Sequence, residues 1–202
     1  MKKFTVVFFI AALVLSAAFN FGVVQGENIS DSVLRLHIPA NSNSVWDQEI
    51  KLKIRDKVIE KYSSYLKETQ KKEDAEKAII EKLADIEKDV NMWLLQEGVD
   101  YKATVSLSYS DFPAKDYGKV KLPSGTYKAL KIVLGSGKGE NWWCIMFPPL
   151  CFVEGSVKKM EEKDYELLKK ELGKTAFEVV TKEGKSVYVK FKIIEIVNKL
   201  IG

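Results

Sequence analysis

The stretch that decides the fold is LRLHIPANSNS, at residues 34–44. Apolar side chains alternate with Arg35 and His37 in its first half, which is the period of a β-strand. Pro39 ends the alternation, and the Asn-Ser-Asn that follows has the composition of a turn. Ser44 then has the features of a helix N-cap, because a serine oxygen can accept a hydrogen bond from a free amide at the start of a helix. The sequence therefore predicts a short strand that leads into a helix.

Two amphipathic helices are predicted after this turn. In residues 45–66 the apolar side chains recur at steps of four, which places one apolar stripe against a core. Asp47 is expected to help Ser44 cover the first amide groups of this helix. Residues 74–96 carry a matching apolar stripe. Because only a short polar link separates the two segments, they are predicted to form a helical hairpin.

Beyond the hairpin the hydrophobic period changes to that of a strand. Strict alternation at residues 102–109 predicts the first of several strands. The predicted fold class is α+β, with an N-terminal amphipathic helix hairpin packed on a small, mainly antiparallel sheet, followed by C-terminal helices. The other predicted segments are strands at residues 117–122, 126–134 and 143–147, a charged helix at residues 159–172, and a strand that runs into a helix at residues 187–201.

The N-terminus has the pattern of an export segment. Lys2 and Lys3 precede an apolar run with small residues beyond it, which is typical of a secretory signal peptide. The apolar run at residues 4–24 is also long enough to cross a bilayer of ~30 Å. Residues 1–26 are therefore predicted to be either a signal peptide or an uncleaved membrane anchor, and residues 27–202 to be a single extracytoplasmic domain. Membrane contact is expected only through residues 4–24 or through a partner.

The charge balance gives no indication of a nucleic-acid partner. The formal net charge is +4, and without Lys2 and Lys3 the chain keeps 30 basic and 28 acidic residues, a charge of +2. The charged runs mix both signs, as solvated helix faces do. A nucleic-acid-binding surface usually shows as a clustered basic stripe instead.

Few residues are candidates for site chemistry. His37 is the single histidine, and its combination with two cysteines that have six residues between them matches no zinc-binding spacing, so neither a metal nor a cofactor is expected. The glycine-rich residues 135–139 lack the Ser or Thr that follows the P-loop lysine, and they are predicted to be a flexible connection between strands. No catalytic constellation is evident, and the protein is not expected to be an enzyme.

Cys144 and Cys151 admit three interpretations. They could form a disulfide outside the cytoplasm, or they could be free buried thiols. Alternatively, Cys144 could be a nucleophile paired with His37, in the manner of a thiol hydrolase or a cell-wall hydrolase. The third interpretation also requires an orienting group and an oxyanion hole, for which the sequence gives no sign.

The most unusual stretch is NWWCIMFPPLCF, at residues 141–152. Strand alternation places Trp142 and Cys144 on one face and Trp143 on the other. A strand with aromatic side chains on both faces either lies at the centre of a sheet or presents one face to a partner. Tryptophan is enriched where proteins contact each other, so a binding face is a specific alternative to a packing role.

Several motifs together resemble the stage II sporulation protein R family. They follow the order of the family's motifs over almost the whole chain after the export segment. The matching stretches are LRLHIPANS at residues 34–42, DQ at 47–48, KLKIRD at 51–56, GTYKAL at 125–130, the glycine loop at 135–139, the block at 141–151, and KFK at 190–192 with Glu195.

The resemblance implies a signalling role. Proteins of this family are exported from the forespore into the space between the forespore and the mother cell. There they activate a membrane-embedded aspartic-type protease, which processes the sigma-E precursor in the mother cell. The family supplies no catalytic residues that could be assigned here. The expected partner-binding residues are large or polar residues of the two strongest motifs, namely Arg35, His37, Asn41, Trp142 and Trp143.

Overall fold

The computed structural model describes most of the chain after the predicted export segment at residues 1–26. The described residues are 29–66, 69–117, 120–149, 151 and 162–181, together with 9, 12, 13 and 15–21 near the N-terminus. The helices are α1 (Val45–Tyr62), α2 (Lys72–Gln96) and α3 (Glu162–Thr181), and α1 continues into a 3-10 turn at Ser63–Leu66. The strands are β1 (Leu34–Pro39), β2 (Ala103–Phe112), β3 (Lys115–Asp116), β4 (Lys121–Leu122), β5 (Gly125–Leu134) and β6 (Asn141–Phe147). This order of elements confirms the predicted α+β class.

Two predictions concern residues that lie largely outside this description. The predicted terminal segment at residues 187–201 lies outside it entirely, as does most of the predicted export segment at residues 1–26. The described residues between 9 and 21 are helical and exposed. Within the described residues, no helix is both long enough and apolar enough to cross a membrane. The single domain at residues 27–202 stays a prediction.

β1 lies inside a four-stranded sheet of order β2-β5-β1-β6. It pairs in parallel with β5 and antiparallel with β6, while β2 pairs antiparallel with β5. Two of the three pairings are antiparallel, as expected. Because β1 has a strand on each side and packed layers on both faces, all six of its residues are buried. Successive side chains of β1 therefore point into the layers on opposite faces of the sheet.

The helical face of the sheet is the face covered by α1 and α2. Leu34, Leu36 and Ile38 point into this core, together with Cys144 and Met146 of β6. Each large apolar side chain buried in this way stabilises the fold by about 1.5–3 kcal/mol. The apolar stripe predicted for the first helix packs into this core along its whole length. Its buried side chains are Ile50, Ile54, Val58, Tyr62 and Leu66.

The two helices form the predicted hairpin. Lys53 Nζ lies 2.6 Å from Glu97 Oε2, and Lys61 Nζ lies 2.5 Å from Asp89 Oδ2. Because the earlier residue of α1 pairs with the later residue near the end of α2, the helices run antiparallel. These lysines are about half exposed, so each pair contributes at most about 1 kcal/mol, and apolar burial provides most of the stability.

The ribbon face of the sheet is the opposite face, which β3, β4 and α3 cover in part. A second core lies there, built from Val33, Tyr127, Ala129 and Ile145 of the sheet region and from the apolar side of α3. The side chains that α3 contributes to this core are Leu168, Leu172, Ala176, Phe177 and Val180.

Three details differ from the predictions. The α-helix ends at Tyr62, and the last four residues of the predicted helix form the 3-10 turn. Only Lys121–Leu122 of the predicted strand at residues 117–122 is a strand, because the Tyr117 amide donates to the Val120 carbonyl (2.8 Å) and the chain reverses there to pair β3 with β4. Gly173, with φ at 68°, interrupts α3 where the predicted helix ends, but helical residues continue beyond it.

The outer edge of β2 is covered by side chains of α2. Asn91 Oδ1 accepts from the Ala103 amide (2.8 Å), and Asn91 Nδ2 donates to the Ala103 carbonyl (3.1 Å). Glu87 Oε2 accepts from the Val105 amide (2.9 Å). These contacts satisfy backbone groups that an edge strand otherwise leaves free to pair with another chain.

The glycine-rich loop packs directly against the turn that precedes α1. A Cβ atom on Gly139 would lie 2.2 Å from the Ser42 carbonyl oxygen, and one on Gly135 would lie 2.3 Å from Asn41 Oδ1. The Gly139 amide donates to the Ala40 carbonyl (2.8 Å). The loop connects β5 to β6 as predicted, and its glycines allow two backbone segments to touch.

Asp47 holds this turn in place. Its carboxylate accepts from Ser42 Oγ (2.5 Å), Asn41 Nδ2 (3.0 Å) and the Tyr101 hydroxyl (2.7 Å). Ser44 Oγ accepts from the Asp47 amide (3.1 Å), which confirms the predicted N-cap, but the carboxylate bonds to side chains instead of a free amide. Burial alone would raise the pKa of Asp47, but these hydrogen bonds outweigh it and lower the pKa below its usual value.

Candidate functional site

No helix or strand of the described residues packs on one half of the ribbon face, where Thr104 and Ser106 are exposed and Lys131 is half-buried. The register of the strands determines which residues line this half. His37 pairs with Lys131 on one side and Trp143 on the other, and Lys131 pairs with Ser106. One row of side chains therefore crosses all four strands. The next row, nearer the C-terminal end of β1, contains Thr104 of β2 and Asn141 of β6. We call this surface the platform, and its residues are Thr104, Ser106, Lys131, His37, Trp143 and Asn141.

The other half of the ribbon face is organised by Arg35. Its Nε donates to the Cys144 carbonyl (3.0 Å), and its Nη2 donates to the Tyr117 hydroxyl (2.7 Å). Its Cζ lies 4.1 Å from the centre of the Phe112 ring and 4.9 Å from that of Tyr127. Arg35 is thus fully buried in an aromatic box, which stabilises a cation through the negative ring faces.

This cation is not neutralised by a carboxylate among the described residues. Burial lowers the pKa of Arg35, while Tyr117 and Tyr127 oppose that change. A guanidinium keeps its charge under such conditions. Arg35 Nη1 has no hydrogen-bond partner. Since Arg35 joins β1 to β6 and to the β3–β4 ribbon, it positions both layers, and it lies beneath the surface.

His37 lies at the border between the covered and the open halves. It is 9% exposed, and its Nε2 lies 2.7 Å from Asn141 Oδ1, which can only accept, so Nε2 is the donor. Burial lowers the pKa of His37, Lys131 and Arg35 lower it further, and the hydrogen bond to Asn141 opposes them. The ring is therefore neutral at pH 7, and its Nδ1 has no partner.

Trp143 lies between an aromatic ring and a cation. Its ring stacks on His37 with centres 6.1 Å apart and planes 15° apart, and Lys115 Nζ lies 5.2 Å from the ring centre. Its buried Nε1 has no hydrogen-bond partner. Leaving a buried polar atom unpaired costs about 1–3 kcal/mol of stability. The indole N–H of Trp143 is therefore a hydrogen-bond donor that the fold itself does not use.

The remaining predicted partner-binding residues lie elsewhere. The ring of Trp142 is on the helical face, where the Arg55 guanidinium lies 4.0 Å from its centre. Asn41 lies in the turn before α1, and its Oδ1 accepts from the Ser136 amide (2.9 Å) while its Nδ2 bonds to Asp47. Of the five predicted partner-binding residues, the structure thus brings together only Arg35, His37 and Trp143. Their role in partner binding stays a prediction.

Cys144 and Cys151 form a disulfide in this structure. Cys144 points to the helical face, whereas His37 points to the ribbon face. The cysteine–histidine pair that a thiol hydrolase requires is therefore not formed, because the sulfur is bonded elsewhere and lies on the other side of the sheet. No group of three or more metal-ligating side chains occurs in the part of the chain that the structure describes.

Sequence reasoning missed the two lysines of this site. Lys131 interrupts the apolar run of β5, in the same way that His37 interrupts β1, and this was the available signal. Lys115 belongs to the β3–β4 ribbon, which was predicted incorrectly. Neither lysine forms an ion pair within the described residues.

The described residues thus define an α+β domain whose most distinctive surface is a cationic and aromatic platform. The chain belongs to the stage II sporulation protein R family, since the family model of that description matches residues 30–157. That range contains β1, β6 and the whole platform. The family shows that the protein has a role in sporulation.

One curated relative is similar over most of both chains. It is stage II sporulation protein R of Bacillus subtilis (strain 168), which is 36% identical over 200 residues, covering 92% of this chain and 88% of the relative. No solved structure matches the chain significantly.

Proposed function

We propose that this protein is an exported sporulation signal that activates a membrane-embedded aspartic-type protease, and that the protease then processes the sigma-E precursor in the mother cell. The signal is made in the forespore and acts in the space between the two cells. Family membership is the observation that carries the proposal, and the export pattern of residues 1–26 supports it. Membrane contact is made through residues 4–24 or through the protease.

Activation occurs by binding in this proposal. A ligand shifts a partner toward its active state only when it binds that state more tightly than the inactive one. The platform provides a surface for this contact, and the rigid aromatic box beneath it holds the surface in one arrangement. The protein itself carries out no cleavage.

The alternative of a thiol or cell-wall hydrolase is weaker. It depended on Cys144 and His37, which lie on opposite faces of the sheet. Replacing Cys144 and Cys151 together by alanine should leave signalling intact if the protein still folds.

The test is reconstitution in non-sporulating bacterial cells. The protease and the sigma precursor of the same organism are co-expressed with this protein, and the size of the precursor is followed by immunoblot. We expect cleavage with the full chain and none with a chain that lacks residues 1–26, because the latter stays in the cytoplasm. Equal cleavage by both chains would contradict the export step. An uncleaved precursor in the presence of the exported, folded protein would contradict activation.

A further inference from the structure

We infer that the platform binds an acidic segment of a protein partner, with a carboxylate placed between Lys131 and Lys115 beside the Trp143 ring. The inference rests on the proposed function, in which the protease is the partner. It concerns the chemistry of the contact, which neither the family nor the relative specifies.

Charge on the platform is of one sign. Lys131 lies in the row of side chains that crosses all four strands, and Lys115 lies over the Trp143 ring. No residue of the platform is acidic, and neither lysine pairs with a described carboxylate. By contrast, Lys53, Lys61, Lys72, Lys82, Lys121 and Lys128 all have carboxylate partners. A surface with two unpaired cations complements a negatively charged segment.

The platform also lacks internal partners for its buried polar atoms. Trp143 Nε1 is a donor without an acceptor, whereas His37, which is 9% exposed, has an unpartnered acceptor at Nδ1 that a carboxylate does not satisfy. Both atoms lie in the same row as Lys131. A carboxylate is an acceptor for the indole N–H and for the lysines at once, so a single ligand group satisfies cations and donor together.

The shape of the surface favours a protein segment over a lipid surface. The covered half of the ribbon face carries α3 and the β3–β4 ribbon, and a helix layer is about 10 Å thick. The platform therefore lies below the neighbouring half of the face by about the thickness of that layer. A narrow peptide segment can reach the platform, whereas the layer keeps a flat bilayer away from it. Trp143 is held between His37 and Lys115, so its ring is not free to insert into lipid.

The first test measures binding directly on the full-length protein with a tetraglutamate peptide as the probe. The chain has four tryptophans, so its ¹⁵N indole spectrum contains four side-chain signals, and Trp143→Phe assigns the one of interest. We expect the peptide to shift the Trp143 signal selectively, and raising NaCl from ~0.05 M to ~0.5 M to weaken the effect. Vesicles of phosphatidylglycerol and phosphatidylethanolamine are titrated in parallel.

Three double variants decide the outcome. Lys115→Glu with Lys131→Glu reverses the platform charge, and Lys77→Glu with Lys88→Glu makes the same charge change on exposed positions of α2, on the other side of the sheet. We expect the platform pair to lose at least about tenfold in peptide affinity and in precursor cleavage, and the control pair to retain both. The neutral pair Lys115→Gln with Lys131→Gln, a milder change for the fold, should show the same loss to a smaller degree.

The results separate this inference from the proposed function. If the wild-type protein triggers cleavage and the platform variants do so equally well, the acidic-segment inference is overturned while the proposed function stands. If the Trp143 signal responds to the peptide but the protein never triggers cleavage, the proposed function fails while the acidic-ligand chemistry stands. Binding to the vesicles alone, lost in the platform pair, would assign the surface to the membrane and overturn the inference.

Discussion

His37 is a neutral ring held next to two cations, and this has a consequence for stability. Its pKa is lowered in the folded protein, first by burial and then by Lys131 and Arg35. The unfolded chain takes up a proton near pH 6.5, whereas the folded chain does not. The free energy by which the lowered pKa of His37 stabilises the fold is therefore fully present above pH ~6.5. It declines as the pH falls and stops changing below the pKa of His37 in the folded protein.

We predict that urea unfolding will show a larger drop in stability between pH ~7.5 and ~5 for the wild type than for His37→Gln. The chain has one histidine, so this window isolates a single side chain. Glutamine keeps a donor for Asn141 and has no titration there. Equal pH dependence in both proteins would contradict the lowered pKa.

The alternation of β1 predicted that Arg35 and His37 share a face, but it did not predict what covers that face. Their surroundings come from Phe112, Tyr117 and Tyr127, which are remote in sequence. No local pattern states that a guanidinium will be surrounded by aromatic rings. The residue-scale environment of the site could be derived only from the pairing of strands.

At the scale of elements, the β5–β6 loop is fixed by its contact with the turn before α1. We predict that Gly139→Ala lowers the free energy of unfolding by about 1–3 kcal/mol, because its Cβ would overlap the Ser42 carbonyl, a backbone atom that cannot rotate away. Gly125→Ala is the matched control, since its Cβ would lie 3.5 Å from the Tyr127 ring, an ordinary contact. Equal urea midpoints for the two variants would contradict this account.

Elements with a strong period were predicted well, and short ones were not. α1 and α2 each repeat their apolar positions over several turns, so their existence and hairpin arrangement followed from the sequence. The ribbon failed because Tyr117, Val120 and Leu122 all join the ribbon-face core, and such a run imitates a strand while the chain reverses inside it.

At the scale of the whole molecule, the disulfide ties the chain beyond the sheet back to β6. Cys144 and Cys151 are separated by 7 positions, and closing so short a loop stabilises a fold by about 2–3 kcal/mol in the chain-entropy description. We predict that Cys144→Ala with Cys151→Ala unfolds at lower urea concentration than the oxidised protein and matches the reduced wild type. Identical midpoints in the presence and absence of a reductant would contradict the prediction.

The strand order β2-β5-β1-β6 could not be predicted from the sequence. Hydrophobic period identifies strands, but the parallel pairing of β1 with β5 depends on contacts between residues remote in sequence, such as Arg35 and Ala129. The platform arises from that order, since Lys131 and Trp143 become neighbours of His37 only when β1 lies between β5 and β6.

The central position of β1 also governs when the protein can fold. β1 is synthesised before every other strand, yet the hydrogen bond from Arg35 to Cys144 joins residues 109 positions apart. During synthesis, the ribosome must therefore release residues up to the end of β6 before β1 has both neighbours. Until β5 emerges, the chain consists of amphipathic helices beside an unpaired β1, and β1 lacks its second neighbour until β6 follows. In the export that we propose, a translocation channel that threads extended polypeptide would meet this chain before the sheet closes, so it would not have to dismantle a finished core.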